Sequence, residues 1–207
     1  MFSAYYRKRF LLAIIINVGQ QVSGINFFIL YSTKIFNDVN PGSGQVITVM
    51  QSITNFLCSF LALYTSRNFG RKSNLIFGVL IQAFSLWFLN FAYSFQLYWL
   101  MAVPVMLFVG AFSVGLGGTL YLYCSEIVPS SGLGVAMFCQ WIFTALVSKY
   151  VPILTGDVIP LFWMFNIFLV ICLIVYVLID AIGVETKGKE DHEISRDFQR
   201  KSFLLCK

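Results

Sequence analysis

The chain has 207 residues, 58% hydrophobic and 11% charged, with a formal net charge of +5. A soluble domain carries about 25% charged residues, so this composition lacks the polar surface that water requires and points to a bilayer as solvent. A soluble enzyme, a secreted disulfide scaffold and a disordered tail are excluded, and the placement of the cations, given below, removes nucleic acid as a partner.

A helix that spans hydrocarbon needs about 20 mostly apolar residues. Six segments qualify, at 10–32, 46–65, 74–93, 97–124, 133–154 and 158–182. Their apolar runs are continuous rather than alternating, which argues against barrel strands. The expected fold is an all-α membrane protein with six transmembrane helices. Residues 1–9 form an N-terminal segment, 10–182 the bundle and 183–207 a tail.

The first span has a basic flank, as a signal peptide does. It is long, carries Gln20 and Gln21 and lacks a small-residue cleavage site, so it reads as a retained helix. Asn17, Gln20, Gln21, Ser23 and Asn26 lie near its middle. Steps of 100° put Gln20, Gly24, Phe27 and Tyr31 on one stripe, Gln21 and Ile25 on the next, and Asn26 well round the cylinder. The three amides reach one ligand if the helix unwinds locally, which Gly24 eases. Residues 37–44 then read as a turn-rich loop.

The second span carries Gln51, Ser52, Thr54 and Asn55. Carboxamides both donate and accept, so several around a cavity suit a neutral, hydroxyl-rich ligand. Each also reads as an interhelical hydrogen bond. Residues 68–72 form a short basic hinge and 94–96 a tight uncharged turn. The fourth span contains Ser113, Gly115, Gly117, Gly118 and Tyr121, and its glycines permit either bending or close packing. Tyr121 offers a ring to the apolar face of a sugar or is an ordinary packed aromatic. Glu126 closes this span.

After residue 182 the composition turns polar, with a helical pattern of mixed charges and an exposed His192 expected. Arg7, Lys8 and Arg9, then Arg67, Arg71 and Lys72, then Lys187, Lys189, Arg196, Arg200, Lys201 and Lys207 fall on one side of a six-span thread. Lys34 and Lys149 fall on the other. The positive-inside rule then places both termini in the cytoplasm, and the cations flank a membrane. Cys58, Cys124, Cys139 and Cys172 sit in apolar runs and Cys206 in the tail. No cysteine lies near His192, so neither zinc nor any other cofactor is expected. No carboxylate lies mid-span and no nucleophile–base pair stands out, so the chain does not read as an enzyme.

The motifs together resemble a family. Residues 20–26 (QQVSGIN), with Tyr31-Ser32-Thr33, resemble the seventh-helix signature of the sugar porters of the major facilitator superfamily. Asn55 falls where that family has a sugar-contacting asparagine. Gly70-Arg71-Lys72, Ser125-Glu126 with Pro129, and Glu185-Thr186-Lys187-Gly188 resemble its G-R-R/K, S-E-x-x-P and P-E-T-K-G motifs, in order, and the hexose facilitators are the nearest comparison. The resemblance implies transport of a monosaccharide by alternating access. Gln20, Gln21, Ile25, Asn26 and Asn55 would contact sugar, with Tyr121 and Trp141 in the places of two family tryptophans. Tyr31, with the glycines Gly115, Gly117 and Gly118, would gate. Arg71, Glu126 and Glu185 would form a cytoplasmic charge network.

The sequence also departs from the family. Residues 115–121 lack the three prolines of the family's G-P-G-P-I-P-W, and Tyr121 replaces its tryptophan. Ser113 stands where a sugar-binding glutamate is usual, Arg67-Asn68 where an acidic–Arg pair is usual, and Leu133 where an arginine is usual. Gln140-Trp141 lies four residues early for the helix-eleven N-W, a gap close to one helical turn. The resemblance covers the last six of twelve helices. A carrier therefore needs a second six-helix bundle, from a longer product, another chain or a dimer. The competing function is a truncated, non-transporting paralogue that binds or regulates a full transporter.

Overall fold

The computed structural model describes residues 4–39 and 41–205. The expectations for Asn40, Cys206 and Lys207, and the first three residues of the N-terminal segment, lie outside these. The described residues are helical almost throughout: α1 (Ala4–Val22), α2 (Ile25–Val39), α3 (Gly44–Asn68), α4 (Arg71–Ser94), a 3-10 turn (Tyr98–Met101), α5 (Ala102–Phe112), a π turn (Ser113–Gly117), α6 (Leu120–Ile127), α7 (Ser130–Asp157), α8 (Leu161–Ile182) and α9 (Asp191–Leu205).

Six stretches of these helices are long and apolar enough to cross a membrane: Arg7–Asp38, Gly44–Asn68, Arg71–Ser94, Tyr98–Ile127, Ser130–Thr155 and Leu161–Ile182. They overlap the six expected spans; the first three and the fifth run longer at both ends, the fourth starts one residue later and ends three later, and the sixth starts three residues later, at Leu161. Two spans are not single α-helices. The first breaks between α1 and α2 at Ser23-Gly24, where Gly24 has φ +95, a left-handed value that favours glycine. A Cβ there would also stand 2.7 Å from the Phe168 ring. The fourth is built of the 3-10 turn, α5, the π turn and α6.

Helix α4 packs along α8 and α5, α1 along α7, and α2 along α3, while α3 also meets α5 and the π turn. Phe28 anchors an aromatic core, 4.9 Å from Phe108 and 5.9 Å from Phe165 between ring centroids. Gly78 and Gly115 bring α4 against the π turn: a Cβ on Gly115 would lie 2.8 Å from the Gly78 Cα. The spans of α3 and α7 are each 17% buried, against 56% for α4. These two helices therefore present the open sides of the bundle.

The tail differs from a solvated appendage. Helix α9 buries Ile194 and Phe198 against the bundle. Arg9, expected to flank the membrane, is 1% exposed instead. Its guanidinium pairs with Asp191 at 2.7 Å and lies over the Phe198 ring, because a buried guanidinium needs a carboxylate. His192 is exposed, as expected.

Candidate functional site

The break at Gly24 sets the local geometry. Ser23 turns its hydroxyl onto the Gln20 carbonyl at 2.7 Å, so the end of α1 is closed by its own side chain. Gln21 and Asn26, on opposite sides of the break, meet directly: Asn26 Nδ2 donates to Gln21 Oε1 at 2.6 Å. Gln20 points elsewhere. Its Nε2 donates to the Leu116 carbonyl at 3.0 Å, while its buried Oε1 has no partner among the described residues. Ile25 is 2% exposed and packs into the core.

Leu116 lies in the π turn. The wider turn alters the hydrogen-bond ladder, a common device where a helix carries a site. Here the Leu116 carbonyl accepts from Gln20, and the Val114 carbonyl from the Thr119 hydroxyl at 3.1 Å. The same turn positions Ser113, whose hydroxyl lies 2.5 Å from Asn55 Oδ1 and 2.8 Å from the Val109 carbonyl. Asn55 and Ser113 border a cleft of about 750 Å³ between α3, the bent fourth span and the segment after α8. Ser52, Asn55, Ser59 and Ser66 share one face of α3, at helical spacing, and the last three line this cleft.

The three glycines separate. Gly115 is a helix–helix contact against Gly78, whereas Gly117 and Gly118 line the cleft. Tyr121 accepts from Gln140 Nε2 at 2.7 Å, linking α6 to α7. Gln140 is 2% exposed, and its neighbour Trp141 is 62% exposed on the outer side of α7. One 100° step separates an inward from an outward side chain, and Gln140 is the inward one. At the far end Tyr31 donates to the Ser148 carbonyl at 3.1 Å and stacks on Phe27.

At the basic end, Arg71 Nε lies 3.2 Å from Glu126 Oε1, and Arg71 also donates to the Ser66 carbonyl. Thr186 donates to the other Glu126 oxygen at 2.5 Å. Glu185 makes no ion pair among the described residues. It accepts the backbone N–H of Arg71 at 2.6 Å, and those of Thr186 and Lys187 at 3.1 and 3.2 Å. A carboxylate on the first amide of α4 complements the helix dipole. A buried cluster sits just inside this end: Asn74 Nδ2 donates to the hydroxyls of Thr65 and Thr119. Asn74 carries no sequence signal, and the Gln140-Trp141 pair draws notice for its tryptophan; the inward role of each amide becomes visible only when its neighbouring helix is placed.

Comparison with known proteins places this geometry. Residues 1–198 match the family model described as Sugar (and other) transporter. The facilitated glucose transporter member 2 of solute carrier family 2 from Gallus gallus is 28% identical over 214 residues, covering 97% of this chain and 39% of that protein. Hexose transporter HXT9 of Saccharomyces cerevisiae is 27% identical, over 91% of this chain and 36% of its own length. Facilitated trehalose transporter Tret1 of Apis mellifera ligustica is 28% identical, over 93% and 41%. The inward open conformation of the xylose transporter XylE from E. coli superposes with a TM-score of 0.82 at 23% identity, over 95% of this chain and 42% of that one, a likeness of fold. The chain thus spans between 36% and 41% of the length of these curated relatives. It carries one six-helix bundle of the major facilitator fold and belongs to the Sugar (and other) transporter family.

Proposed function

We propose that this bundle is the carboxy-terminal half of a sugar carrier, which binds a hexose-like monosaccharide and moves it by alternating access against a second six-helix bundle. The observation that carries this reading is the polar face of α3. Ser52, Asn55 and Ser59 are exposed at membrane depth, where polar groups are expensive unless they face a partner or a wet cavity. A second bundle seated on α3 and α7 would turn that face into the wall of a path, with substrate held between the halves as in other carriers.

In this reading Asn55, Gln20, Gln21 and Asn26 offer hydrogen bonds to sugar hydroxyls. Gln20 has an unused Oε1 ready, and the Gln21–Asn26 pair opens as sugar enters. Tyr121 supplies a ring face, Trp141 can do so only from the exposed side of α7 that the second bundle would cover, and Ile25 supports the break from within. Tyr31 closes one end, with Gly117 and Gly118 flexing at the end of the π turn and Gly115 as its pivot. Arg71, Glu126 and Glu185 hold the other end. The excess of Lys and Arg at that end supports a cytoplasmic location for it and for residues 1–9 and 183–207.

The test is hexose uptake into liposomes by the chain alone and co-expressed with an amino-terminal half. Uptake is expected with both halves present and is expected to fall on Asn55→Ala or Gln21→Ala. No uptake in the paired sample, with both halves folded, would sink the reading. Protease cleavage of α9 from outside sealed, oriented vesicles would overturn the assigned orientation.

A further inference from the structure

The cleft beside Asn55 changes character along its length. Its inner part carries an amide and hydroxyls, while its mouth is lined by Arg67, Arg71 and Lys187, with no carboxylate among the described residues that line it. The two nearby carboxylates are already engaged. Glu126 takes Arg71 and Thr186, and Glu185 is folded onto backbone amides. Arg71 is therefore neutralised, but Arg67 and Lys187 are not. Neither makes an ion pair among the described residues, and Lys187 Nζ reaches the Asn68 carbonyl at 2.8 Å. Beside them Gly188, at φ +71, leaves open space within 4 Å of where a Cβ would stand. Leu63 and Leu122 supply apolar walls.

Two uncompensated cations at the rim of a cleft with apolar walls raise the local concentration of anions. A guanidinium matches the oxygens of a phosphate bidentately, and an ammonium adds a point charge. We propose that this mouth binds a phosphate ester, its oxygens held by Arg67 and Lys187 and its organic part against Leu63 and Leu122. A phospholipid headgroup and a soluble sugar phosphate share this chemistry. The binding concerns the same cleft as the carrier reading but does not require transport.

The experiment is thermal melting of the purified chain in detergent with phosphatidylglycerol or glucose 6-phosphate, and with diacylglycerol or glucose as controls that lack the phosphate. At least one phosphate probe is expected to raise the melting temperature in a dose-dependent, salt-sensitive way, and the controls are not. Arg67→Gln with Lys187→Gln is expected to weaken the response about tenfold or more. Arg67→Gln alone is expected to weaken it less. Arg196→Gln with Arg200→Gln, on the exposed side of α9, should leave it unchanged. A response to phosphatidylglycerol alone assigns the headgroup, and one to glucose 6-phosphate alone assigns the soluble ester. No response to either probe, an equal response to the controls, or an undiminished response in the Arg67/Lys187 variant overturns the proposal. Failed hexose uptake with intact phosphate binding would sink the carrier reading alone.

Discussion

The Glu185 carboxylate lies directly over the Cα of Gly70, in the space that a Cβ there would fill. From that position it accepts the Arg71 N–H at 2.6 Å and closes the first turn of α4. Gly70 is extended rather than left-handed, with φ −69 and ψ 151, so its requirement is for space. Gly70→Ala is expected to expel the carboxylate and to lower stability by about 1–3 kcal/mol, as loss of a cap with local crowding does. Thermal unfolding in detergent measures this. A Gly70→Ala melt that overlays the parent would show that the cap is dispensable.

Gln82 is 0% exposed in the middle of α4, and neither its Oε1 nor its Nε2 has a hydrogen-bond partner among the described residues. An unpartnered buried amide costs about 1–3 kcal/mol by mutational measures. Gln82→Leu, close in volume, is expected to recover much of that and raise the melting temperature. A lower melting temperature would mean that Gln82 holds a polar partner of its own, such as an ordered water.

The Tyr121–Gln140 pair invites a double-mutant cycle. Tyr121→Phe removes the partner of Gln140 Nε2 and leaves a wholly unpartnered amide, since Gln140 Oε1 is already alone. That single change is expected to cost about 1–3 kcal/mol. Gln140→Leu should cost less, and the double variant should be less destabilised than the sum. Strict additivity would show that the two side chains do not interact in solution.

Lys201 gives a dependence on pH. Its Nζ donates to the carbonyls of Asp180 and Gly183 at 2.5 and 2.7 Å, fastening α9 to the end of α8. Burial first, then the neighbouring Lys72, push its ammonium down to about 8, against an upward pull from Asp180. A free lysine titrates near 10.4, roughly. Between the two values the detached tail binds more protons than the docked one, so rising pH favours docking. Hydrogen exchange of α9 amides is expected to slow, relative to the intrinsic rate, from pH 8 to about 10.5, and to show no such trend below pH 7. Lys201→Met should remove the trend; its persistence would assign it to another group.

The sequence and the structure agree where the signal is local. Six apolar runs of spanning length are six spans, and Gly24 between two glutamines and an asparagine marks the break in the first. Long-range features were less legible. The π turn at Ser113–Gly117 has no propensity of its own; glycines promise a bend without saying which kind. Trp141 looks the better ligand by chemistry, yet Gln140 is the side chain turned inward, because the neighbour of α7 decides its rotation. Glu185 reads as a charge partner and acts on backbone amides, a role set by a turn far away in sequence. Arg9 reads as a surface cation until its distant carboxylate is known.

That last pair bears on how the molecule is made. Arg9 and Asp191 are 182 positions apart, so a ribosome delivers the first long before the second. While the residues between them are made, the guanidinium has to wait among headgroups or water, and α1 cannot take its final depth. The clasp closes when α9 arrives, so α1 settles only after helices made later than it.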